Sequence, residues 1–447
     1  MKSVSSMFFL AGVGIVGVAA VLVAQQSTSH PQPRADALAP VAQASPNRST
    51  NVSRPEGLSP KAPAGFSVTS YAELPAPRMM VYAPNGDLFV SSPADRSITV
   101  LRDANNDGTF EAKSVYAQAP PPPAGARGQG GGPPGVLGDK APACAPPPPF
   151  TQRGPGQIQA PFGMAFHDGY LYVGNPGSIV RYKYANGDLK AQGEPEKLMD
   201  LPQGGHSTRN IVFNRAGTKM YVTVGSQSNN DAGEDCRRAA ILEFNPDGSG
   251  YRVYASGIRN PVGLTLQPGT DIVWTAMNER DNLGDDLVPD YATSVKDGGF
   301  YGWPYSYIGR NYDPRYVGSF PDLVNKAIVP DVLIPAHSAA LGIGFYTGNQ
   351  FPQRFRNGAF VALHGSWNRS TASGYKVAFF PMNNGRPGPI EDFLTGFLAA
   401  NGTPGGMPIQ PWGRPVGVTV ARDGSLLVSD DTGNRIWKVS ASSAGTR

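Results

Sequence analysis

Of the five histidines in the 447 residues, His206 stands in Gly204-Gly205-His206-Ser207-Thr208-Arg209-Asn210, directly ahead of an apolar, strand-like run at 211–213. An imidazole at the mouth of a strand suits removal of a hydroxyl proton near neutral pH. The plainer reading is a satisfied structural histidine. Further on, Gly-Ile-Arg-Asn-Pro-Val-Gly-Leu sets Arg259 and Asn260 before another apolar run. A guanidinium there offers a fixed fork of donors to a carboxylate or an oxyanion, while an Asn-Pro turn in a surface loop explains the same residues. The stretch Asn278-Glu279-Arg280-Asp281-Asn282-Leu283-Gly284-Asp285-Asp286 collects carboxylates at Glu279, Asp281, Asp285 and Asp286. Oxygen-rich loops of this kind suit Ca²⁺, which also takes backbone carbonyls; a solvated acidic turn has the same composition. Finally, His364, Trp367, Asn368 and Arg369 follow one apolar run, and Trp412 and Arg414 precede another. Aromatic and cationic groups gathered at one end of a fold would form a slot for a flat, multiply anionic ligand. Each alone is packing or surface charge, and their shared place in successive repeats is what raises them above that.

The elements that must position these residues are β-strands. With 55 Gly, 44 Pro and only 16% charged residues, the composition favours short strands and tight turns over long helices. An apolar alternating strand, a Gly- or Asp-containing turn and a second apolar strand recur from Met80, Met164, Ile211, Leu264, Ile343 and Val418. These six units begin on average about 68 residues apart, slightly more than one four-stranded propeller blade needs. Each reads as an antiparallel hairpin. The expected fold is all-β, a six-bladed β-propeller over 60–442 with a disordered N-terminal tether. The segment Gly65-Phe-Ser-Val-Thr-Ser-Tyr71 is expected to pair with the last blade and close the ring. Two β-sandwiches are the alternative, but they would not need six similar hairpins in series. Ligands of a propeller gather at one end of its central channel.

Outside the repeats, Lys2 precedes an uncharged apolar stretch from Met7 to Ala24, which reads as an export signal over 1–24 or as a retained N-terminal membrane anchor. The protein is therefore expected to be periplasmic. Residues 25–59, rich in Ser, Pro, Gln and Ala, are expected to be a disordered linker. A Pro/Gly-rich segment at 119–156 should hang from the fold as a surface loop, and 443–447 form a short tail. The formal excess of +4 includes no run of basic residues, which argues against a nucleic-acid partner. Cys144 and Cys236 are the only cysteines. They are too few for a closed zinc site and are either a disulfide in an oxidising compartment or two free thiols.

Taken in order, the segments beginning at Pro77, Gly204, Gly257, Asn278, Gly298, His364 and Pro411 resemble the sorbosone dehydrogenase branch of the quinoprotein sugar dehydrogenases, the family that includes soluble glucose dehydrogenase. The resemblance runs from about Gly65 to Ser440. It implies a six-bladed propeller and bound pyrroloquinoline quinone (PQQ) with Ca²⁺. It also implies oxidation of an aldose or a sugar-derived, sorbosone-like aldehyde by hydride transfer, with His206 as general base and Arg259 stabilising the developing oxyanion. Asn260, Arg78, Trp367, Asn368, Arg369, Trp412 and Arg414 match positions around the cofactor. The metal contacts match the loop with Arg280 and Asp281, mainly through carbonyls, together with Asp285 and Asp286. Two positions depart from the pattern. Ser226 stands where soluble glucose dehydrogenase has the aspartate supporting its histidine, leaving Asp231, Glu234 or Asp235 as substitutes. Trp367 or Asn368 stands where that enzyme has a cofactor-binding lysine. No Cys-x-x-Cys-His motif is present, so electrons should leave to a separate acceptor, the quinone pool or a cytochrome. A Ca²⁺-dependent propeller lactonase and a non-catalytic glycan-binding propeller are the rival readings.

Overall fold

A computed structural model describes residues 46–105, 107–108, 110–121 and 153–442. Six antiparallel units stand around one axis, four of four strands and two with a short fifth strand at the edge, Gly154–Pro155 on the second and Gly299–Phe300, which pairs in parallel, on the third; each repeat found in the sequence supplies the two inner strands of one unit. The inner strands are Met80–Tyr82, Met164–His167, Ile211–Phe213, Asn260–Leu266, Ala340–Phe345 and Pro415–Val420. The sixth blade takes its outer strand from the other end of the chain. Phe66–Glu73 pairs antiparallel with Arg435–Ala441, Phe66 opposite Ala441 and Glu73 opposite Arg435. The ring is thus closed by hydrogen bonds between the first and last strands, as the sequence predicts, and no sheet edge is left at the seam.

Apolar residues between neighbouring blades form the core. The fifth and sixth blades share Phe351, Phe355, Phe360, Phe379 and Phe393, all buried, with Phe360 and Phe393 centroids 4.6 Å apart. On the axis, Met79, Phe162, Val262, Leu341 and Val416, in or just before five inner strands, pack into one cluster. A glycine follows four of these side chains, and the reason is close approach between blades. A Cβ would lie 2.3 Å from the Leu341 carbonyl at Gly263, 2.5 Å from that of Val416 at Gly342 and 2.4 Å from that of Arg78 at Gly417. The inner strands can meet tightly only where a side chain is missing.

Two expectations about the flanking segments change. The described part of the supposed disordered linker, 46–59, is bound to the propeller: the amides of Asn47, Thr50 and Val52 donate to the carbonyls of Trp367, Ile409 and Pro411 at 3.0, 2.8 and 3.0 Å. Composition undervalued it because the surface it covers lies more than 300 residues away in sequence. In the Pro/Gly-rich segment, Gly154–Pro155 forms an edge strand on the second blade. Most of that segment, the apolar stretch 7–24 and the tail 443–447 lie outside the described residues. Cys236 is disulfide-bonded, and Cys144 also lies outside the described residues. Among the described residues no helix is long and apolar enough to cross a membrane.

Candidate active site

In an up-and-down blade the connection into the inner strand and the loop between the second and third strands fall at the same end. His206, Arg259, His337, Arg78 and Arg414 all lie just before or at the start of inner strands, and Asn229, Asp281, His364 and Asp431 lie in second-to-third-strand loops. The topology therefore brings them all to one rim.

His206 is delivered there by Gly204 and Gly205, both at positive φ (84° and 60°). A Cβ on Gly205 would sit 2.3 Å from Gln227 Cα and 2.6 Å from the Ser226 carbonyl. The loop can lie against Ser226 only with glycine at that position. The imidazole Nδ1 then meets the Ser226 carbonyl at 2.9 Å and Ser226 Oγ at 3.0 Å. Ser226 Oγ donates its own proton to the Ser228 carbonyl at 2.6 Å, so Nδ1 must carry the hydrogen and Nε2 the lone pair. Burial, with Arg259 adding to it, pushes the imidazole down to about 3. None of the suggested substitutes for the missing aspartate takes its place. Asp231 pairs with Arg315 at 2.8 Å, Glu234 accepts the amides of Gln227 and Ser228, both at 2.7 Å, and Asp235 pairs with Arg237. A backbone carbonyl does the orienting instead.

Arg259 is buried, and its fork is filled on the protein side. Nε donates to the Asn229 carbonyl at 2.9 Å, one terminal nitrogen to the Glu279 carbonyl at 2.8 Å and the other to Asn229 Oδ1 at 3.0 Å. Asp281 lies 3.7 Å away. The same Asp281 accepts from His337 Nδ1 at 3.2 Å, and His337 Nε2 meets the Gly284 carbonyl at 2.9 Å. With acceptors on both ring nitrogens His337 favours the imidazolium; burial opposes this, but the bonds to Asp281 and the Gly284 carbonyl and the charges of Asp281 and Asp290 together outweigh it and the pKa is raised. Asn260 follows Arg259, and its Oδ1 is buried without a partner. Gly225 makes room for it, since a Cβ there would sit 2.5 Å from that oxygen and 2.6 Å from His206 Cβ. His206, Arg259 and Asn260 are thereby brought together as the sequence predicts.

A second group lies at the junction of the fifth, sixth and first blades. Arg78 pairs with Asp431 at 2.6 Å, and Asp431 also meets His364 Nε2 at 2.9 Å. Arg414 donates to the carbonyls of His364 and Gly365, both at 2.9 Å. Burial would raise the Asp431 carboxyl, but His364 and Arg78 outweigh it and hold it low. Burial pushes His364 down to about 4. The rim thus carries Arg78, Arg259 and Arg414 against Asp281 and Asp431, a balance that suits an anionic ligand.

Other sequence-predicted residues serve different ends. Arg280 is fully buried, between Glu279 and Asp313 at 2.9 Å each, so its side chain is part of the core. Asp285 accepts the Ser370 amide at 3.0 Å, and exposed Asp286 pairs with Arg369 at 2.9 Å. Asp285 and Asp286 clamp the fourth blade's loop to the fifth's. Among the described residues no set of three or more His, Cys, Asp or Glu could hold a metal ion, and the expected carboxylate cluster does not form because each carboxylate already has a protein partner. Asn368 is buried against Asn282, accepting its amide at 2.9 Å. Trp412 is 1% exposed and packs against Phe397 and Trp437 in the core, not in a slot. Trp367 is 43% exposed and stacks with Arg48. The sequence reading missed Asn229, His337 and Asp431. His337, like Arg259, lies just ahead of an inner strand, three residues before Ala340 where Arg259 is one before Asn260.

The family model of glucose/sorbosone dehydrogenases matches residues 174–366, and a TrAA12-like model matches 323–442. An uncharacterised protein of Borreliella burgdorferi is 31% identical over 299 residues, covering 63% of this chain and 76% of that one. The pyrroloquinoline quinone-dependent pyranose dehydrogenase of Coprinopsis cinerea is 27% identical over 297 residues, 52% of this chain but only 39% of that enzyme. The holo PQQ domain of the Coprinopsis pyranose dehydrogenase superposes with a TM-score of 0.64 at 21% identity, covering 88% of this chain and all of the domain. The family match spans the loops that carry His206, Arg259, Asp281 and His337, so that over residues 174–366 the chain is similar to the glucose/sorbosone dehydrogenases.

Proposed function

We propose that the protein is a PQQ-dependent dehydrogenase that oxidises an aldose or a sugar-derived aldehyde. The observation that carries this reading is the neutral His206, its Nε2 lone pair unclaimed among the described residues, beside Arg259 and Asn260 on an arginine-rich rim. The residues fit the group: PQQ is flat and multiply anionic, the rim offers three arginines, and Asn260 has a buried amide oxygen lacking a partner. When bound, PQQ supplies the two-electron acceptor. His206 Nε2 takes the proton of the substrate hydroxyl as the neighbouring C–H gives up its electron pair. Arg259, fixed by Asn229 and the Glu279 carbonyl, holds a preorganised positive charge where negative charge builds on the acceptor. The side chains do not fit a Ca²⁺ cage. The metal therefore stays in the proposal only as a contact of the Arg280 and Asp281 carbonyls, and no step is derived from it.

Export to the periplasm and delivery of electrons to a separate acceptor belong to the same proposal; they rest on residues 1–24 and on the missing haem motif. The lactonase reading loses support because the described carboxylates are individually paired. The test is an absorbance titration of the purified protein with PQQ and Ca²⁺, followed by a panel of aldoses and aldehydes. Substrate-dependent bleaching of bound quinone is expected. Absence of quinone binding overturns the proposal and favours a glycan-binding propeller.

A further inference from the structure

The motif that carries His206 also carries Arg209, whose side chain is fully buried. Among the described residues its guanidinium meets no carboxylate; burial pulls its pKa down to about 9, and Arg238 adds to the effect. A buried cation without a counter-ion is costly, so its other contacts should explain why it is kept. One terminal nitrogen donates to the carbonyls of His206 at 2.8 Å and Thr208 at 2.7 Å, and the other donates to that of Pro202 at 2.7 Å. Its Nε is buried without a partner. Three carbonyls of one seven-residue loop therefore converge on a single fork. Room for the residue comes from the second blade: a Cβ on Gly174 would lie 2.5 Å from the Arg209 carbonyl and 3.0 Å from its Cβ.

We propose that Arg209 is the positioning residue of His206. Its guanidinium ties together the carbonyls of Pro202, His206 and Thr208, carries the imidazole to Ser226 in one orientation and places a fixed positive charge behind it. The geometry has two separable parts. The fork sets orientation, because a lysine ammonium is a point charge and cannot span three carbonyls in that plane. The charge adds to burial, the main cause, in keeping the ring neutral. The charged groups facing His206 are Arg259, Arg209 and Asp281, and the two arginines outweigh the one carboxylate in keeping the ring neutral. The proposal deepens the reading of His206 as the base and rests on it for its bearing on turnover, but the effect on the imidazole itself is independent of any reaction.

The test follows the ring signal of His206 in the apo protein by histidine-selective NMR between pH 3 and 8, with the signal assigned by its loss in His206→Gln. In Arg209→Gln the midpoint is expected to rise, as for loss of a nearby like charge. In Arg209→Lys the midpoint is expected to stay near that of the parent, while kcat falls about tenfold with little change in KM, as for a misplaced catalytic group. Gly174→Ala, which pushes on Arg209 without removing it, is expected to move the midpoint in the same direction as Arg209→Gln, and it decides the question if Arg209→Gln does not fold. A midpoint unchanged in whichever of these two folds overturns the proposal. If the midpoint moves while His206→Gln retains turnover, the positioning role stands and the role of His206 as base falls.

Discussion

His206 and Ser226 are bound to each other twice: the amide of His206 and its ring Nδ1 both meet the Ser226 carbonyl, each at 2.9 Å. Ser226 in turn donates its own amide to the Arg259 carbonyl at 2.7 Å. One residue thus links the loop of the base to that of the oxyanion arginine, and it does so through its main chain. Ser226→Ala is therefore expected to lower kcat less than tenfold, since the orienting carbonyl stays and only the Oγ contacts with the His206 ring and the Ser228 carbonyl are lost. His206→Ala should lower it by about 10³-fold, within the usual range for a positioned base, with quinone absorbance retained. Dye-linked steady-state assays separate the two.

Because His206 is held neutral, the acid limb of its pH–rate profile should lie well below the 6.5 of an ordinary histidine. The sign follows from the shift: a depressed folded-state value keeps the base unprotonated until the pH falls toward about 3. A kcat/KM profile with a limb near 6.5 would remove His206 as the base or contradict its burial.

Arg259→Lys should not rescue Arg259→Ala. The fork is matched to the Asn229 carbonyl, Asn229 Oδ1 and the Glu279 carbonyl, and an ammonium cannot reach all three. Both variants are expected to lose reduction of the quinone by substrate in stopped-flow traces. Full-rate reduction in Arg259→Lys would show that charge alone suffices.

Asp286→Asn should leave any Ca²⁺ dependence of activity unchanged and should cost at most about 1 kcal/mol, because its pair with Arg369 is solvent-exposed. By contrast, Glu279→Gln leaves Arg280 with one carboxylate partner in a fully buried setting, and a loss of about 3–5 kcal/mol is expected in denaturant unfolding. A weakened Ca²⁺ response in Asp286→Asn would restore that carboxylate to the metal's shell.

The fold was legible because its unit is local. Each hairpin pairs strands only a few residues apart, as Met80–Tyr82 does with Leu88–Ser92, and the period of two with its turn residues survives in a single sequence. His206 and Arg259 were legible because each sits in a compact motif directly before an inner strand. Their partners were not. Asn229 meets Arg259 from 30 residues away, His337 meets Asp281 from 56 and Arg78 meets Asp431 from 353; the first two pairs form where consecutive blades pack, and the last only because the ring closes. Trp412 misled for a related reason: type and spacing mark a residue as able to bind, but not which way it faces.

The apolar cluster of Met79, Phe162, Val262, Leu341 and Val416 gives the molecule a floor. With the shaft stoppered below the rim, traffic has one doorway, and what arrives must leave by the way it came. A sugar and the carrier that collects its electrons would then have to take turns at the same threshold. Crowding by either should slow the other, and an excess of sugar should inhibit its own oxidation.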